Sequence, residues 1–241
     1  MLSQLISGGF NKETLLVILL SIPSIMIALS LHEAAHGYIA YKMGDPTAKN
    51  LGRLTINPLK HLDPIGTVCM LLFGFGWAKP VPISTRYFKN PRVGMALTAL
   101  AGPVTNLLLG IIGVIAYHAV TVILLVPGVL TAISGELYYA TDNTAFFEAL
   151  FLFLNYFTLY NFSLAIFNLI PIPPFDGSRV AFVFLPDRLY FGIMQYERYI
   201  MIGTLILLNI SDFSVMNLAY RLWGIVNIPF DIIMQFIISH Y

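Results

Sequence analysis

Residues 32–36 read His32-Glu33-Ala34-Ala35-His36 and lie within an apolar run that begins near Thr14 and carries no charge before Glu33. Side chains four residues apart lie on the same face of an α-helix, so this stretch directs two imidazoles to one point with a carboxylate beside them. The pattern H-E-x-x-H is typical of zinc hydrolases, in which the histidines bind the metal and the glutamate is the general base. Ionisable residues inside an apolar span are costly and by default indicate function. The alternative is an accidental grouping satisfied by neighbouring side chains, and a third ligand would decide between the two.

The composition is that of an integral membrane protein. Of the 241 residues, 58% are hydrophobic and 10% are charged, whereas soluble domains carry roughly 25% charged residues. The net charge is +1, and no basic cluster with interleaved aromatic residues is present, so nucleic acid is not expected as a partner. The one cysteine, Cys69, excludes an internal disulfide and a cysteine-based zinc site.

The apolar segments predict a polytopic, all-α helical bundle of four or five spans that forms a single domain over residues 1–241. A span needs about 20 apolar residues. We predict spans at about residues 14–42, 92–125, 145–170 and 191–210, and a fifth at 215–238 whose apolar character is interrupted by Arg221, Pro229 and Asp231.

The apolar stretch between the first two spans, residues 65–77, is too short to cross a bilayer. Its glycines and β-branched residues favour a re-entrant loop or hairpin that dips into the membrane beside protein. An amphipathic piece lying on the membrane surface is the alternative.

The basic residues predict the orientation. Seven of the 13 lysines and arginines lie in residues 43–93, whereas residues 127–144 contain acids and no base. Basic loops face the cytoplasm. The ends of the first and third spans, including the His/Glu motif, are therefore expected on the cytoplasmic side of the membrane.

The third span ends in Pro171, Pro173 and Pro174, which unwind the backbone just before Asp176-Gly177. Unwound backbone at membrane depth is tolerated only beside protein or a polar cavity. We therefore predict Asp176 as the third ligand, in preference to His61 in the loop; a helix-capping role for Asp176 is the alternative. Two neutral histidines, one carboxylate and ionised Glu33 would make a site with one zinc ion electrically neutral.

Asn168 lies eight residues before Asp176. Its amide would either donate to an oxyanion during hydrolysis or satisfy carbonyl groups freed by Pro171, and the residues alone leave both roles open.

These motifs together resemble the site-2 protease family of intramembrane zinc metalloproteases. The resemblance extends to further stretches shared with its compact bacterial members, which lack a PDZ insertion and a C-terminal nucleotide-sensing (CBS) domain: Gly44-Asp45-Pro46-Thr47, Gly52-Arg53-Leu54-Thr55-Ile56-Asn57-Pro58, Asp63-Pro64-Ile65-Gly66, Trp77-Ala78-Lys79-Pro80-Val81-Pro82 and Ala101-Gly102-Pro103 with Asn106.

The resemblance implies cleavage of transmembrane substrates by an enzyme of the bacterial inner membrane. It implies zinc ligands at His32, His36 and Asp176, a base at Glu33 and an oxyanion role for Asn168. It also implies that about residues 65–83 form a membrane-embedded re-entrant β-hairpin, which pairs with an unwound substrate strand. The expected partners are the transmembrane substrate, the lipid bilayer and a regulatory membrane protein, and we predict substrate contacts at Gly74, Gly76, Trp77 and Asn106.

A zinc transporter or channel that uses the same residues as a transit site is the alternative function. A transit path needs polar groups across the whole membrane. The outer halves of the second and third spans offer almost no ionisable residues, which favours the hydrolase.

Overall fold

The computed structural model describes residues 12–66, 78–125, 130–133, 136–139, 144–210 and 215–238. Strands β1 (Leu130–Ile133) and β2 (Glu136–Tyr139) form a small antiparallel hairpin with Leu130 opposite Tyr139. In chain order the helices are α1 (Lys12–Lys42), α2 (Thr47–Asn50), α3 (Pro91–Leu125), α4 (Ala145–Asn168), α5 (Asp176–Ala181), α6 (Asp187–Met194), α7 (Glu197–Ile210) and α8 (Val215–Ile238).

Four of these helices, α1, α3, α4 and α8, are long and apolar enough to cross a membrane. Helices α1, α3 and α4 confirm apolar helices of spanning length at the predicted 14–42, 92–125 and 145–170. Helix α8 confirms the fifth predicted segment as a helix of spanning length. Its Arg221 lies within two turns of the helix start, where a long basic side chain can reach the membrane surface.

The span predicted at residues 191–210 is wrong. Helix α6 ends at Met194, and α7 has only 14 residues. At 1.5 Å per residue α7 is about 21 Å long, which is shorter than the roughly 30 Å hydrocarbon core of a bilayer. The described chain therefore contains four candidate spans.

The structure does not support the predicted β-hairpin over residues 65–83. Residues 67–77, with Gly74, Gly76 and Trp77, lie outside the described residues. The flanks that are described contain one isolated antiparallel bridge, from Leu62 to Ala78, and no strand.

Small residues allow α3 to pack closely against both α1 and α4. Gly102, Gly110 and Gly113 are all buried along α3. A methyl group added at Gly110 would collide with the Phe162 ring, and one at Gly113 would collide with Thr158. Close backbone approach at small residues is the usual basis of helix association in membranes, where apolar side chains gain little by leaving lipid.

Helix α8 packs against α3 and α4 through buried Ala219, which lies with Val114 and Phe162. A polar pair adds to this contact, since His118 Nε2 on α3 lies 2.7 Å from Asn227 Oδ1 on α8. The Asn227 amide nitrogen donates to the Trp223 carbonyl, so its oxygen faces His118 and accepts from the ring. His118 thus contributes to the packing of α3 against α8.

Candidate active site

Three side chains converge at one end of the bundle. The Nε2 atoms of His32 and His36, one turn apart on α1, are 2.9 Å from each other. Asp176 Oδ2, from the first residue of α5, lies 3.1 Å from His32 Nε2 and 3.3 Å from His36 Nε2. Within the described chain these residues form a group able to hold a metal ion. The structure thus brings together the three residues that the sequence predicted as ligands.

The proline break places Asp176 in this group. Helix α4 ends at Asn168 and α5 begins at Asp176, with the three prolines in the non-helical connection. Gly177 allows the start of α5 to lie against the end of α4, because a methyl group there would come within 2.8 Å of the Ile170 carbonyl oxygen. The glycine therefore fixes how deeply the carboxylate reaches into the bundle.

The hydrogen bond of His36 fixes which of its ring nitrogens carries the proton. Its Nδ1 lies 2.7 Å from the Thr98 carbonyl oxygen of α3. A carbonyl oxygen can only accept, so Nδ1 carries the hydrogen of the neutral ring and Nε2 keeps a lone pair.

A chain of amides fixes the tautomer of His32 in the same way. Its Nδ1 lies 2.5 Å from Asn106 Oδ1. The Asn106 amide nitrogen donates to the Ala28 carbonyl at 3.2 Å and to Asn161 Oδ1 at 2.8 Å, and the Asn161 nitrogen donates to the Phe157 carbonyl. The carbonyl groups of Ala28 and Phe157 fix the orientation of the two amides. The Asn106 oxygen therefore faces His32 and accepts its Nδ1 proton.

The donor set fits a zinc ion. Two unprotonated Nε2 atoms and a carboxylate oxygen face one another at 2.9–3.3 Å. Asp176 Oδ2 is buried without a hydrogen-bond partner in the described structure. Three lone pairs at this spacing repel unless a cation lies among them. Histidines held through Nδ1 by outer hydrogen-bond acceptors are the common arrangement around zinc.

The backbone of α3 closes one side of the ligand group at Gly102. A methyl group there would lie 2.5 Å from His32 Cε1 and 2.6 Å from His36 Cε1. Any larger residue at position 102 would displace the imidazoles from their shared focus.

Glu33 receives one backbone hydrogen bond from the segment that follows residues 67–77. The Val81 amide donates to Glu33 Oε2 at 2.8 Å. Pro80 and Pro82 flank Val81 and have no N–H, so this amide is the single backbone donor of residues 80–82. The contact orients the carboxylate next to the histidine face of α1.

We call residues 78–84 the strap. Besides the Val81–Glu33 bond, three hydrogen bonds hold it: the Lys79 amide donates to the His61 carbonyl at 2.8 Å, Arg53 donates to the Lys79 carbonyl at 2.6 Å, and the Ser84 amide donates to buried Asp45 at 2.6 Å. The family-like stretches around Asp45 and Arg53 thus have a shared role, which is to hold the strap against the end of α1. His61 Nε2 lies 2.8 Å from the Thr55 carbonyl, which places His61 outside the ligand group.

Two other predicted site residues occupy different settings. Asn106 is fully buried behind His32, which favours a positioning role over the predicted substrate contact. Asn168 is half-buried, and its amide nitrogen donates to the Leu164 carbonyl at 3.0 Å, so its oxyanion role stays a prediction.

Sequence reasoning missed the Thr98 carbonyl, the Val81 amide and Asn161. The first two are backbone groups, and for Val81 the flanking prolines are the signal that could have revealed the donor.

Replacing Asn106 by alanine is expected to weaken zinc binding about 10- to 100-fold, the usual cost of losing an outer partner of a histidine ligand. The matched control is Asn161→Ala, which removes a second buried amide but leaves the His32 acceptor in place. Zinc affinity measured by competition with a chelator separates the two variants. Asn161 acts on His32 only through Asn106, so we expect the smaller loss in Asn161→Ala, and equal losses would contradict a direct role of Asn106 as the His32 acceptor.

Replacing Val81 by proline removes the N–H that holds Glu33, whereas Val81→Ala retains it. We expect Val81→Pro to lower kcat by about ten-fold or more, less than the loss of the base itself, and Val81→Ala to stay near wild type. Zinc content and thermal unfolding of both variants check that the fold is intact. Equal kcat values in two folded, zinc-loaded variants would contradict an orienting role for this amide.

Comparison with known proteins agrees with the metal site that the geometry indicates. The chain matches the family model described as Peptidase family M50 over residues 20–208. It is 38% identical over 215 residues, 88% of each chain, to the Bacillus subtilis (strain 168) protein named "Putative zinc metalloprotease YwhC". It is 30% identical over 101 residues to the Mycolicibacterium smegmatis protein named "Putative zinc metalloprotease Rip2", which covers 40% of this chain and 39% of that one. No solved structure matches.

The family match covers α1, the strap, α3, α4 and α5, and so includes every residue of the ligand group and Glu33. The chain is thus a multi-pass membrane metalloprotease, and it belongs to peptidase family M50, the site-2 protease family.

Proposed function

We propose that this protein is a zinc endopeptidase that hydrolyses peptide bonds of transmembrane substrates within or near the bilayer, as in regulated intramembrane proteolysis. The observation that carries the proposal is the position of the ligand group. His32 and His36 belong to the candidate span α1, and their rings lie against Gly102 of a second candidate span, α3. A peptide bond must reach this depth to meet them, and a substrate that already lies in the membrane does so most directly.

In this proposal His32, His36 and Asp176 hold one zinc ion per chain. Three protein ligands leave a fourth position open, as in other catalytic zinc sites. When bound, zinc lowers the pKa of water and polarises the carbonyl group of the substrate.

Glu33 is the proposed general base. Its carboxylate takes a proton from the attacking water and returns it to the departing amine, while the Val81 amide holds the carboxylate in one orientation. We also propose that Asn168 donates to the developing oxyanion. This requires its amide nitrogen to leave the Leu164 carbonyl when substrate arrives.

We place the active site on the cytoplasmic side of a bacterial inner membrane. Lys42, Lys49, Lys60 and Lys79 are exposed at the end of the bundle that carries the strap, which supports this orientation. Substrate choice is proposed to depend on the membrane segments and on a regulatory membrane partner.

The test uses the purified protein in liposomes with two peptides of the same cleavable sequence. One peptide carries an apolar segment long enough to span the bilayer, and the other has that segment made polar. The proposal expects cleavage of the spanning peptide, loss of cleavage with Glu33→Gln, and accumulation of uncleaved membrane proteins in cells that carry Glu33→Gln. Cleavage of only the polar peptide would overturn the substrate class and leave the metalloprotease assignment in place.

A further inference from the structure

A line of residues along α8 points away from the rest of the bundle. Arg221, Gly224, Ile228, Asp231 and Gln235 are all exposed in the protein. They follow one another at spacings of three and four residues, so they lie on one face of the helix. The same spacing is typical of a seam between two helices. We call these five residues the α8 stripe.

The α8 stripe lies opposite the face that holds α8 in the bundle. Ala219 belongs to that packing face and lies with buried Val114 and Phe162. Ile228 comes nine residues after Ala219. At 3.6 residues per turn this is about two and a half turns, so Ile228 points directly away from the packing face. Because α8 is a candidate span, the stripe of a single copy faces lipid.

The α8 stripe carries charge inside the membrane. Helix α8 has 24 residues, so it is about 36 Å long and extends about 3 Å beyond each side of a roughly 30 Å hydrocarbon core. Asp231 lies seven residues before the end of α8, which places it about 10 Å from that end and inside the core. Its short side chain cannot reach the membrane surface, unlike the long side chain of Arg221.

The charge of Asp231 has no counterpart within the described chain. Neither Asp231 nor Arg221 has a side-chain hydrogen bond or an ion pair among the described residues. An ionisable side chain at this depth is costly, and such residues usually pair with another polar group. A basic side chain from outside this chain would supply the pair.

We propose that the α8 stripe binds a transmembrane helix of another protein, which presents a lysine or arginine to Asp231. Gly224 lets this helix approach closely, because a methyl group added there would meet no atom within 4 Å. Ile228 lies between Gly224 and Asp231 and supplies apolar contact. A second copy of this chain fits the stripe poorly. Two copies in the same membrane orientation, related by a two-fold axis along the membrane normal, would place Asp231 against Asp231 and Arg221 against Arg221.

This surface is separate from the active site. Near the end of α8, Met234 packs with Leu125 at the end of α3. The ligand group instead lies beside Thr98 and Gly102, near the start of α3. Asp231 is one turn before Met234 and therefore lies towards the other end of the bundle. The inference names a surface for the regulatory partner of the proposed function, but helix binding here does not rest on the peptidase chemistry.

The test is association in liposomes between the labelled protein and a labelled membrane-spanning peptide of leucine and alanine, measured by energy transfer. One peptide carries a single lysine at the depth of Asp231, and its match carries leucine there. We expect the lysine peptide to bind about ten-fold more tightly, within the range of polar contacts between membrane helices. Asp231→Asn should remove this difference, and Asp231→Lys should favour a peptide with glutamate at that position.

Matched controls address packing and charge separately. Gly224→Leu fills the open face of the stripe and should weaken binding of the lysine peptide. Gly203→Leu makes the same change on α7, where an added methyl group also meets no atom within 4 Å, and should leave binding unchanged. Glu148→Gln removes an exposed carboxylate outside the stripe and should also leave binding unchanged. The Tm and zinc content of each variant check that it is folded.

Each further outcome is decisive. Equal binding of the lysine and leucine peptides to the wild-type protein would overturn the pairing with Asp231. Equal weakening by Asp231→Asn and Glu148→Gln would show general charge attraction, and equal effects of Gly224→Leu and Gly203→Leu would exclude the stripe as the contact. Energy transfer between two labelled copies that Asp231→Asn abolishes would identify a second copy as the occupant and overturn the proposal. Because binding is measured without cleavage, a failure of the proposed function would leave this result unchanged.

Discussion

Glu33→Gln is expected to lower the rate of peptide cleavage by about 10²- to 10⁴-fold, the usual contribution of a general base, while bound zinc stays at the wild-type level. The substitution keeps the size of the side chain and an oxygen that can still accept from the Val81 amide. What it removes is the ability to take a proton. The measurement pairs kcat on a membrane-inserted peptide with zinc content by atomic absorption.

The control for Glu33 is Glu148→Gln, an exposed glutamate in the first turn of α4. It makes the same chemical change outside the ligand group and is expected to leave kcat and zinc unchanged. Retained cleavage by zinc-loaded Glu33→Gln protein would assign the proton transfer to another group.

Asp176→Ala is expected to remove most of the bound zinc and, with it, cleavage. The loss of zinc affinity should exceed the 10- to 100-fold cost of losing an outer partner, because Asp176 is a proposed ligand itself. The two histidines that remain provide only two of the three protein ligands of a catalytic zinc site. Zinc affinity is measured by competition with a chelator, and cleavage is measured after saturation with zinc.

Two controls accompany Asp176. Asp231→Ala removes an exposed carboxylate of α8, and it should keep zinc and activity. Gly177→Ala keeps the carboxylate but obstructs the packing of α5 on α4, so it should lower zinc affinity by a smaller factor. Wild-type zinc affinity in a folded Asp176→Ala protein would exclude Asp176 as a ligand.

The first three spans were predictable because each is a long apolar run with clear ends. Helix α3, for example, begins at Pro91 and ends at Leu125, close to the predicted 92–125. The error at 191–210 has a physical origin: average hydropathy does not detect the break between α6 and α7 at residues 195–196. The interruptions noted at 215–238 do not prevent a helix of spanning length, since Arg221 and Asp231 are exposed there and Ala219 packs against the bundle.

The ligand group was predictable for a different reason. The spacing of His32 and His36 is local, and the prolines before Asp176 indicate a break at a definite membrane depth. The contacts that hold these residues in place were harder to predict, because they join segments that are distant in the sequence. Thr98 acts through its carbonyl group, and Asn161 acts through Asn106, so neither side chain shows its role in the sequence alone.

The prolines of the strap also limit how this protein can associate with other extended chains. A strand that adds to an edge needs a row of free amide and carbonyl groups. Between residues 80 and 82 the single amide is already bound to Glu33, so this edge offers acceptors and no free donor. A continuous β-ladder cannot form along it. A second copy or a substrate strand placed along residues 80–82 must therefore find its hydrogen-bond donors elsewhere.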